Sequence, residues 1–165
     1  MVDKISTCLW FDGNAEEAAR FYTSIFPNSR IESVDHSPAD TPSGPEGSIL
    51  TVNFSLDGRS FIALNGGPEF TFSEAISLSI DCADQAEVDR YWEALLADGG
   101  QPSVCGWLKD RFGLSWQVVP RQMTEMFNSP DRAGARRAME AMLKMVKIDV
   151  AEIERAFAGD AMPVA

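Results

Sequence analysis

The chain has 165 residues, 45% of them hydrophobic, and a formal net charge of −11 at pH 7. A chain of this size can bury a real core, either as one compact domain or as two small packed modules. Its negative charge would repel a phosphate backbone or an anionic lipid surface, so neither nucleic acid nor a membrane is an expected partner. No apolar run approaches the roughly 20 residues of a membrane-spanning helix, and no signal peptide is evident. The three cysteines have no CxxC spacing, which indicates reduced thiols and a cytoplasmic protein.

A strand-then-helix pattern occurs twice, at residues 5–26 and again at residues 75–96. When one copy is aligned on the other, Arg20 matches Arg90, and two aromatic residues follow the arginine in both copies. Each copy is a short apolar run, a turn and an amphipathic helix. The repeat predicts a duplicated unit, and two such half-sheets facing each other would enclose a cleft.

The first copy is predicted to continue as a four-stranded module. Asn14 followed by Glu17 is a capping box that opens the first helix, and Asp57-Gly58 is a tight hairpin turn. The prolines and glycines of residues 37–47 predict a loop beside the cleft. The predicted elements are strand 5–11, helix 15–26 and strands 30–35, 48–56 and 60–65.

The second copy repeats this order and is followed by a segment of different character. Ser129-Pro130 is predicted to open a helix that runs to about residue 146, Asp149 with Glu152 is a second capping box, and Gly159 is expected to end the last helix. The predicted elements of the second copy are strand 75–80, helix 85–97 and strands 103–109 and 114–119. The chain is therefore divided into a first module at residues 1–67, a second module at residues 68–120 and a C-terminal helical extension at residues 121–165, within a single compact domain overall.

One face of the predicted C-terminal helix is apolar and is formed by Met139, Met142, Leu143 and Val146. These side chains can fill a core against the sheet. They can also form a dimer contact, because methionine suits adaptable surfaces. Both interpretations remain open at this point.

Three predicted strands have one apolar side that can pack helices and an opposite side of small or neutral polar groups. The opposite sides carry Phe61, Ala63 and Asn65 in the first strand, Ala75, Ser77 and Ser79 in the second, and Ser115, Gln117 and Val119 in the third. Such a face is either solvated or lines a ligand cavity. The absence of long charged side chains from these three strands favours a cavity.

Three runs of the sequence carry a resemblance to a known family: CLWFDGNAEEAARFY, ALNGGPEFTFSEAISLSIDCADQAEVDRYW and CGWLKDRFGLSWQVVP. They resemble the PhnB-like branch of the vicinal oxygen chelate superfamily, which includes glyoxalase I, extradiol dioxygenases, fosfomycin-resistance enzymes and bleomycin-resistance proteins. The resemblance extends from Ile5 to about Gly159. It implies an α+β fold of paired βαβββ modules that form a curled, open mixed sheet around a cleft, plus C-terminal helices.

Members of this branch are often labelled 3-demethylubiquinone-9 3-methyltransferase, and the residues of this chain do not support that activity. An enzyme using S-adenosylmethionine would normally have a glycine-rich loop after its first strand. Here the first predicted strand ends in FDGNAEE, and no alternating α/β sheet follows.

Metal-using members of the superfamily hold their ion with four ligands, mostly His and Glu. The resemblance places Thr7 at the first of these positions, Ala63 or Asn65 at the second, Ala75 at the third and Gln117 at the fourth. Of these only Gln117 could coordinate well, and the only histidine, His36, is expected on the surface. One neutral amide would bind a divalent ion too weakly, so we expect no metal and no cofactor.

These observations lead to a first hypothesis, a metal-independent protein that binds a small organic molecule. Hydrogen bonds to the ligand are predicted from Asn65, Ser77, Ser79, Ser115 and Gln117, and apolar walls from Trp107 and Phe70. The drug-sequestering members of the superfamily provide the parallel. Whether any reaction is catalysed is left undecided.

Two alternatives stay open. One is an isomerase, lyase or oxygenase of the same superfamily, with Gln117 and Glu69 contributing to a metal site. The other is a protein-interaction domain, which would present an exposed apolar patch on the methionine-rich helices. For all three we expect a homodimer, as the resemblance implies.

Overall fold

The chain divides into two compact units, the first ending at Phe72 and the second beginning at Ser73. The structure, a computed structural model, describes residues 4–160. Each unit has an open, mixed four-stranded sheet and one helix packed on it, and the second unit has three further helices. This confirms the predicted α+β fold class. The three-part division stays a prediction, and its terminal residues 1–3 and 161–165 lie outside the described residues.

The sheet of the first unit has the strand order β1-β4-β3-β2. Its elements are β1 (Thr7–Phe11), α1 (Ala15–Ile25), β2 (Arg30–His36), β3 (Ile49–Leu56) and β4 (Arg59–Asn65). Strand β1 runs parallel to β4, and the other neighbours are antiparallel. Asp57 and Gly58 have φ values of 45° and 76°, and two positive values in succession are those of a tight hairpin turn. The turn predicted between β3 and β4 is therefore confirmed.

Helix α1 packs one small-residue face on β3 and β4. Ala15, Ala18 and Ala19 are fully buried, and their spacing places them on one side of a helix. Asn14 is the N-cap residue, but its side chain makes no capping hydrogen bond, so the predicted capping box is wrong. The backbone N–H of Ala15 instead donates to Oδ1 of Asn65 at 3.0 Å.

The two faces of β4 are the reverse of the prediction. Ala63 pairs with Leu9 and with Val52, and all three are buried on the side that packs α1. Asn65 lies on that same side, whereas Ile62 is only partly buried on the open face. The prediction failed because both alternating sets of this strand are largely apolar, so alternation alone could not show which set meets the helix.

The sheet of the second unit has the equivalent order β5-β8-β7-β6. The elements of this unit are β5 (Ser77–Cys82), α2 (Gln85–Leu96), β6 (Gln101–Pro102), β7 (Trp107–Lys109), β8 (Ser115–Pro120), α3 (Arg121–Phe127), α4 (Arg132–Met142) and α5 (Val150–Ala158). Helix α2 begins with a side-chain cap, because the N-cap residue Asp84 accepts from the N–H of Glu87. The Glu87 carboxylate in turn accepts from the N–H of Ala83, the residue before the N-cap. The single strand predicted at residues 103–109 is wrong, since residues 103–106 leave the sheet between β6 and β7.

The helices after β8 differ from the prediction at their beginnings. Helix α3 was not predicted, and it begins directly after Pro120, which occupies the N-cap position, where the helix needs no backbone N–H. Helix α4 begins after Asp131, which accepts from the N–H of Gly134 at 3.0 Å, and not at Ser129-Pro130. The capping bond of Asp149 and the left-handed Gly159 at the end of α5 are confirmed.

These helices enclose a small core of their own, formed by Met123, Ala138, Met145, Ile148 and Ile153. The apolar face predicted on the C-terminal helix is only partly in that core. Met142 packs against it, whereas Met139, Leu143 and Val146 are 38%, 60% and 48% exposed. The core-filling interpretation is therefore wrong for those three side chains, and the dimer contact stays a prediction. None of the helices within residues 4–160 has the length and apolar character needed to cross a membrane.

Candidate functional site

The open face of the second sheet carries most of the side chains that the sequence singled out. In the strand register Ser77 pairs with Ser115, and Ser79 pairs with Gln117, which in turn pairs with Trp107. Residues that pair directly across neighbouring strands point to the same side of a sheet. The five side chains therefore share one face, as predicted for β5 and β8.

The opposite face of this sheet packs against α2. Leu108 and Trp116 pair with each other on that side and are 1% and 2% exposed. Trp116 donates its indole N–H to Oδ2 of the buried Asp110 at 2.8 Å, so its polar atom is satisfied inside the core. Trp116 therefore lies on the helix-packing side of β8.

A groove of about 490 Å³ lies along β6, β7 and β8, and we call it the β6–β8 groove. Residues 103–106 create it by leaving the sheet, with Cys105 and Gly106 in left-handed conformations at φ 60° and 80°. The residues of its wall that bear on recognition are Glu74, Ser103, Cys105, Trp107, Lys109 and Ser115. Two of the predicted ligand contacts, Trp107 and Ser115, therefore line one groove.

Ser115 is the most unusual polar residue of this groove. It is 1% exposed, and its hydroxyl oxygen makes no hydrogen bond to any residue that the structure describes. A buried hydroxyl without a partner costs about 1–3 kcal/mol. A bound molecule or water could satisfy this hydroxyl, and because the oxygen atom itself is buried, a neighbouring side chain would have to move aside to admit it.

Lys109 stands next to Ser115 on the same face, because the two residues pair directly across β7 and β8. Its ammonium group forms an ion pair with the carboxylate of Glu74, which is 64% exposed. The hydrogen bond from Lys109 lowers the pKa of Glu74 below its ordinary value. Sequence reasoning missed both residues, although Lys109 lies two positions after Trp107 and so must share its face.

Gln117 is held by a hydrogen bond within the sheet. Its Nε2 atom donates to the hydroxyl oxygen of Ser77 at 2.8 Å, which fixes the direction of the amide group. Gln117 and Ser77 are half-buried, and Ser79 is exposed. These three side chains extend the polar face beyond the part that lines the groove.

Asn65 and Phe70, the remaining predicted contacts, belong to the first unit. Asn65 is 7% exposed and accepts from the Ala15 N–H while its Nδ2 donates to the carbonyl of Ile49 at 3.0 Å. Both functional groups of this amide thus hold α1 and β3 in place. Phe70 is 59% exposed and packs its ring edge-to-face with Trp10, with 5.0 Å between the ring centroids.

Replacing Asn65 by alanine is expected to lower the free energy of unfolding by about 1–3 kcal/mol, because it leaves buried backbone groups without partners. Asn53→Ala is the matched control, since the Asn53 amide bonds Asp35 on the exposed face of the same sheet. Urea denaturation followed by circular dichroism measures both. Equal stability of the two variants would show that the Asn65 bonds do not hold this unit together.

The residues at the superfamily's metal positions do not fit a metal ion in this chain. Ala63 and Ala75 have no donor atom, Oδ1 of Asn65 accepts from the Ala15 N–H, and Nε2 of Gln117 donates to Ser77. Within residues 4–160, no three His, Cys, Asp or Glu side chains lie close enough together to hold an ion.

Cys82 is fully buried at the end of β5, and burial raises the pKa of its thiol to about 12. At pH 9, where an ordinary thiol is half ionised, Cys82 is expected to resist iodoacetamide in the native protein and to react in urea. Mass spectrometry of tryptic peptides measures this. Native labelling at the rate seen in urea would contradict the expectation.

The raised pKa of Cys82 also makes stability depend on pH. Because the pKa is higher in the folded state, the protonated thiol contributes to the free energy of unfolding below about pH 9, and this contribution is lost as the pH rises toward 12.

The comparisons with known proteins agree with this architecture. The model of the family described as 3-demethylubiquinone-9 3-methyltransferase matches residues 3–119. A PhnB protein from Bacillus cereus, described as a candidate 3-demethylubiquinone-9 3-methyltransferase, is 35% identical, with a TM-score of 0.64 over 72% of this chain and 99% of that chain. Protein PA1353 from Pseudomonas aeruginosa is 23% identical, with a TM-score of 0.59 over 72% of this chain and 98% of that chain. No curated protein matches the chain.

The paired modules and these matches define a protein of the PhnB-like branch of the vicinal oxygen chelate superfamily, which confirms the resemblance. Within it, the chain belongs to the family whose model is described as 3-demethylubiquinone-9 3-methyltransferase. The match ends at residue 119, so the resemblance of the segment containing α3 to α5 stays a prediction.

Proposed function

We propose that this protein binds a small, flat organic molecule in the β6–β8 groove and does so without a metal ion. The observation that carries the proposal is Ser115, a residue of the groove wall whose buried hydroxyl has no hydrogen-bond partner among residues 4–160. A volume of about 490 Å³ lies within the range of small-molecule sites.

The chemistry of the wall supports a ligand with an aromatic ring. Trp107 is half-buried in the groove, and an indole face in this setting can stack on a planar molecule. Ser103 and Lys109 add polar groups to the same wall. Few polar groups on a largely apolar surface are typical of sites that orient a ligand as well as hold it.

A screen of aromatic acids, phenols, aromatic amides and antibiotics by thermal shift tests the proposal, with nuclear magnetic resonance of the ¹⁵N-labelled full chain to locate binding. Hits are expected to move the amide signals of residues 101–109 and of Ser115. Trp107→Ala is expected to weaken a hit by about tenfold or more, as the loss of a stacked aromatic contact does. Leu143→Ala, at the exposed C-cap of α4, is the control and leaves affinity unchanged. Hits that map only elsewhere, or no hits, would overturn the proposal.

The family description raises methyl transfer as a second candidate function. Calorimetry with S-adenosylmethionine tests it directly, and saturable binding would favour it. The turn after β1 has a single glycine, and the first helical N–H is taken by Asn65, which does not resemble a cofactor loop. We therefore favour small-molecule binding without methyl transfer over a methyltransferase activity.

A metal-dependent isomerase, lyase or oxygenase remains the alternative within the superfamily. The amide of Gln117 is hydrogen-bonded to Ser77, and Glu69 is an exposed residue of the first unit. These observations do not place the two side chains together at one metal ion. Metal analysis of protein purified without chelator separates the two functions. Stoichiometric zinc, manganese, nickel or iron would replace the metal-independent proposal with this one.

Two further points of the proposal concern assembly and location. We propose that the protein is cytoplasmic and that it forms a homodimer. The exposed apolar side chains of Met139, Leu143 and Val146 support the dimer contact. The same surface would also suit a protein-interaction domain. Light scattering tests the dimer, since a mass of 18.1 kDa would show a monomer.

A further inference from the structure

The charges of the β6–β8 groove define the class of ligand more narrowly, an inference that rests on the proposed function. We propose that the groove selects a flat organic anion. Its negative group replaces the Glu74 carboxylate on Lys109 and accepts a hydrogen bond from Ser115, while its ring lies against Trp107.

Lys109 is the one cation among the residues that line this groove in the described part of the chain. Because it lies in β7 and pairs with both β6 and β8, its backbone is fixed on both sides. Its side chain is 36% exposed, so most of that side chain is shielded from water. A partly desolvated cation on a rigid strand attracts an anion more strongly than a surface lysine does.

Ser115 provides the second contact to the anion. It pairs with Lys109 in the register, and its buried hydroxyl has no hydrogen-bond partner within residues 4–160. An anionic oxygen is the strongest acceptor that a serine hydroxyl can meet. The Ser115 oxygen is itself buried, so the inference requires that displacement of the Glu74 carboxylate also uncovers it. One ligand group beside Lys109 would then satisfy both side chains.

Glu74 occupies the position that this inference gives to the ligand. Its carboxylate accepts a hydrogen bond from Lys109 and is 64% exposed, on the segment that leads into β5. An exposed ion pair contributes little to stability, because water and salt screen it. A ligand anion that also reaches Ser115 can therefore displace the Glu74 carboxylate.

Trp107 sets the distance between the ring and the anionic group. It lies two residues before Lys109 on β7, and alternate residues of a strand are about 7 Å apart on one face. An aromatic ring bearing a carboxylate spans this distance. A ligand with a remote or absent charge would leave either Trp107 or Lys109 without its contact.

The inference is tested with 2-naphthoate and 2-naphthamide, which share one ring system and differ in charge. Calorimetry on the full chain is expected to show naphthoate binding about tenfold more tightly, as suits a hydrogen-bonded charge pair. Lys109→Met removes this preference, and Ser115→Ala weakens naphthoate several-fold. Glu74→Gln strengthens naphthoate and leaves naphthamide unchanged, because it removes the competing carboxylate. Lys144→Met, an exposed cation on another surface, is the control and changes neither.

The outcomes separate this inference from the proposed function. Equal affinities for the two probes, or a preference that survives Lys109→Met, would overturn the anion inference while leaving small-molecule binding in place. Absence of groove binding by either probe would overturn the inference, and failure of the wider screen would overturn the proposed function as well. Circular dichroism of each variant confirms that the fold is intact before affinities are compared.

Discussion

Replacing Ile148 by alanine is expected to lower the free energy of unfolding by about 2–5 kcal/mol. Ile148 is fully buried in the core of the C-terminal helices, where it packs with Met145 and Ile153. Truncation removes its apolar surface from the core and leaves a cavity that the surrounding helices fill only in part. Urea denaturation followed by circular dichroism gives the value.

Ile76→Ala is the matched control for this prediction. It makes the same change of side chain in the same unit, and Ile76 is 70% exposed in the segment that leads into β5. A substitution at such a position changes stability by about 0.5 kcal/mol or less. If the two variants were equally stable, Ile148 would not hold the C-terminal helices together.

The second large effect is expected at Gly106, where alanine should cost about 2–4 kcal/mol. The residue has φ 80°, a conformation that side chains rarely adopt. A Cβ atom there would lie 2.9 Å from Cγ1 of Ile148 and 2.9 Å from the carbonyl oxygen of Val118. The strand carbonyl cannot move away without disturbing β8, so the segment between β6 and β7 must shift.

Gly113→Ala isolates the conformational part of this cost. Gly113 has φ 86°, yet a Cβ atom added there would meet nothing within 4 Å. The control is therefore expected to lose about 1 kcal/mol, and the difference between the two variants measures the close contact at Gly106. A thermal or urea unfolding series with both variants gives the comparison. Equal losses would contradict the role assigned to close packing.

The sequence predicted the faces of β5 and β8 but not those of β4, for one physical reason. In β5 and β8 the serines and Gln117 alternate with apolar side chains, so the polarity of the pattern identifies the open side. In β4 the alternating sets are Ile62 with Leu64 and Phe61 with Ala63, and both can be buried. The helix meets the set that contains the small Ala63.

The groove itself could not be predicted, because it depends on a local departure from the strand pattern. Residues 103–109 were predicted as one continuous strand, whereas residues 103–106 form a turn between β6 and β7 that includes the left-handed Cys105 and Gly106. A cysteine in the left-handed backbone conformation is uncommon. The hydrophobic pattern of the sequence does not indicate such a conformation. The alternation of β8 nevertheless predicts Ser115 on the open face, and Trp107 was identified as an aromatic residue next to a turn, not from its strand position.

Backbone hydrogen bonds connect the groove wall between β6 and β7 to the segment between α4 and α5. The N–H groups of Cys105 and Gly106 donate to the carbonyls of Met145 and Val146, each at 2.8 Å. Hydrogen–deuterium exchange at those two amides is therefore tied to transient opening of the connection between α4 and α5. A ligand that stabilises the groove wall would also slow deuterium uptake in the connection between α4 and α5, without contacting it. The groove wall and that connection would then open together as one cooperative unit.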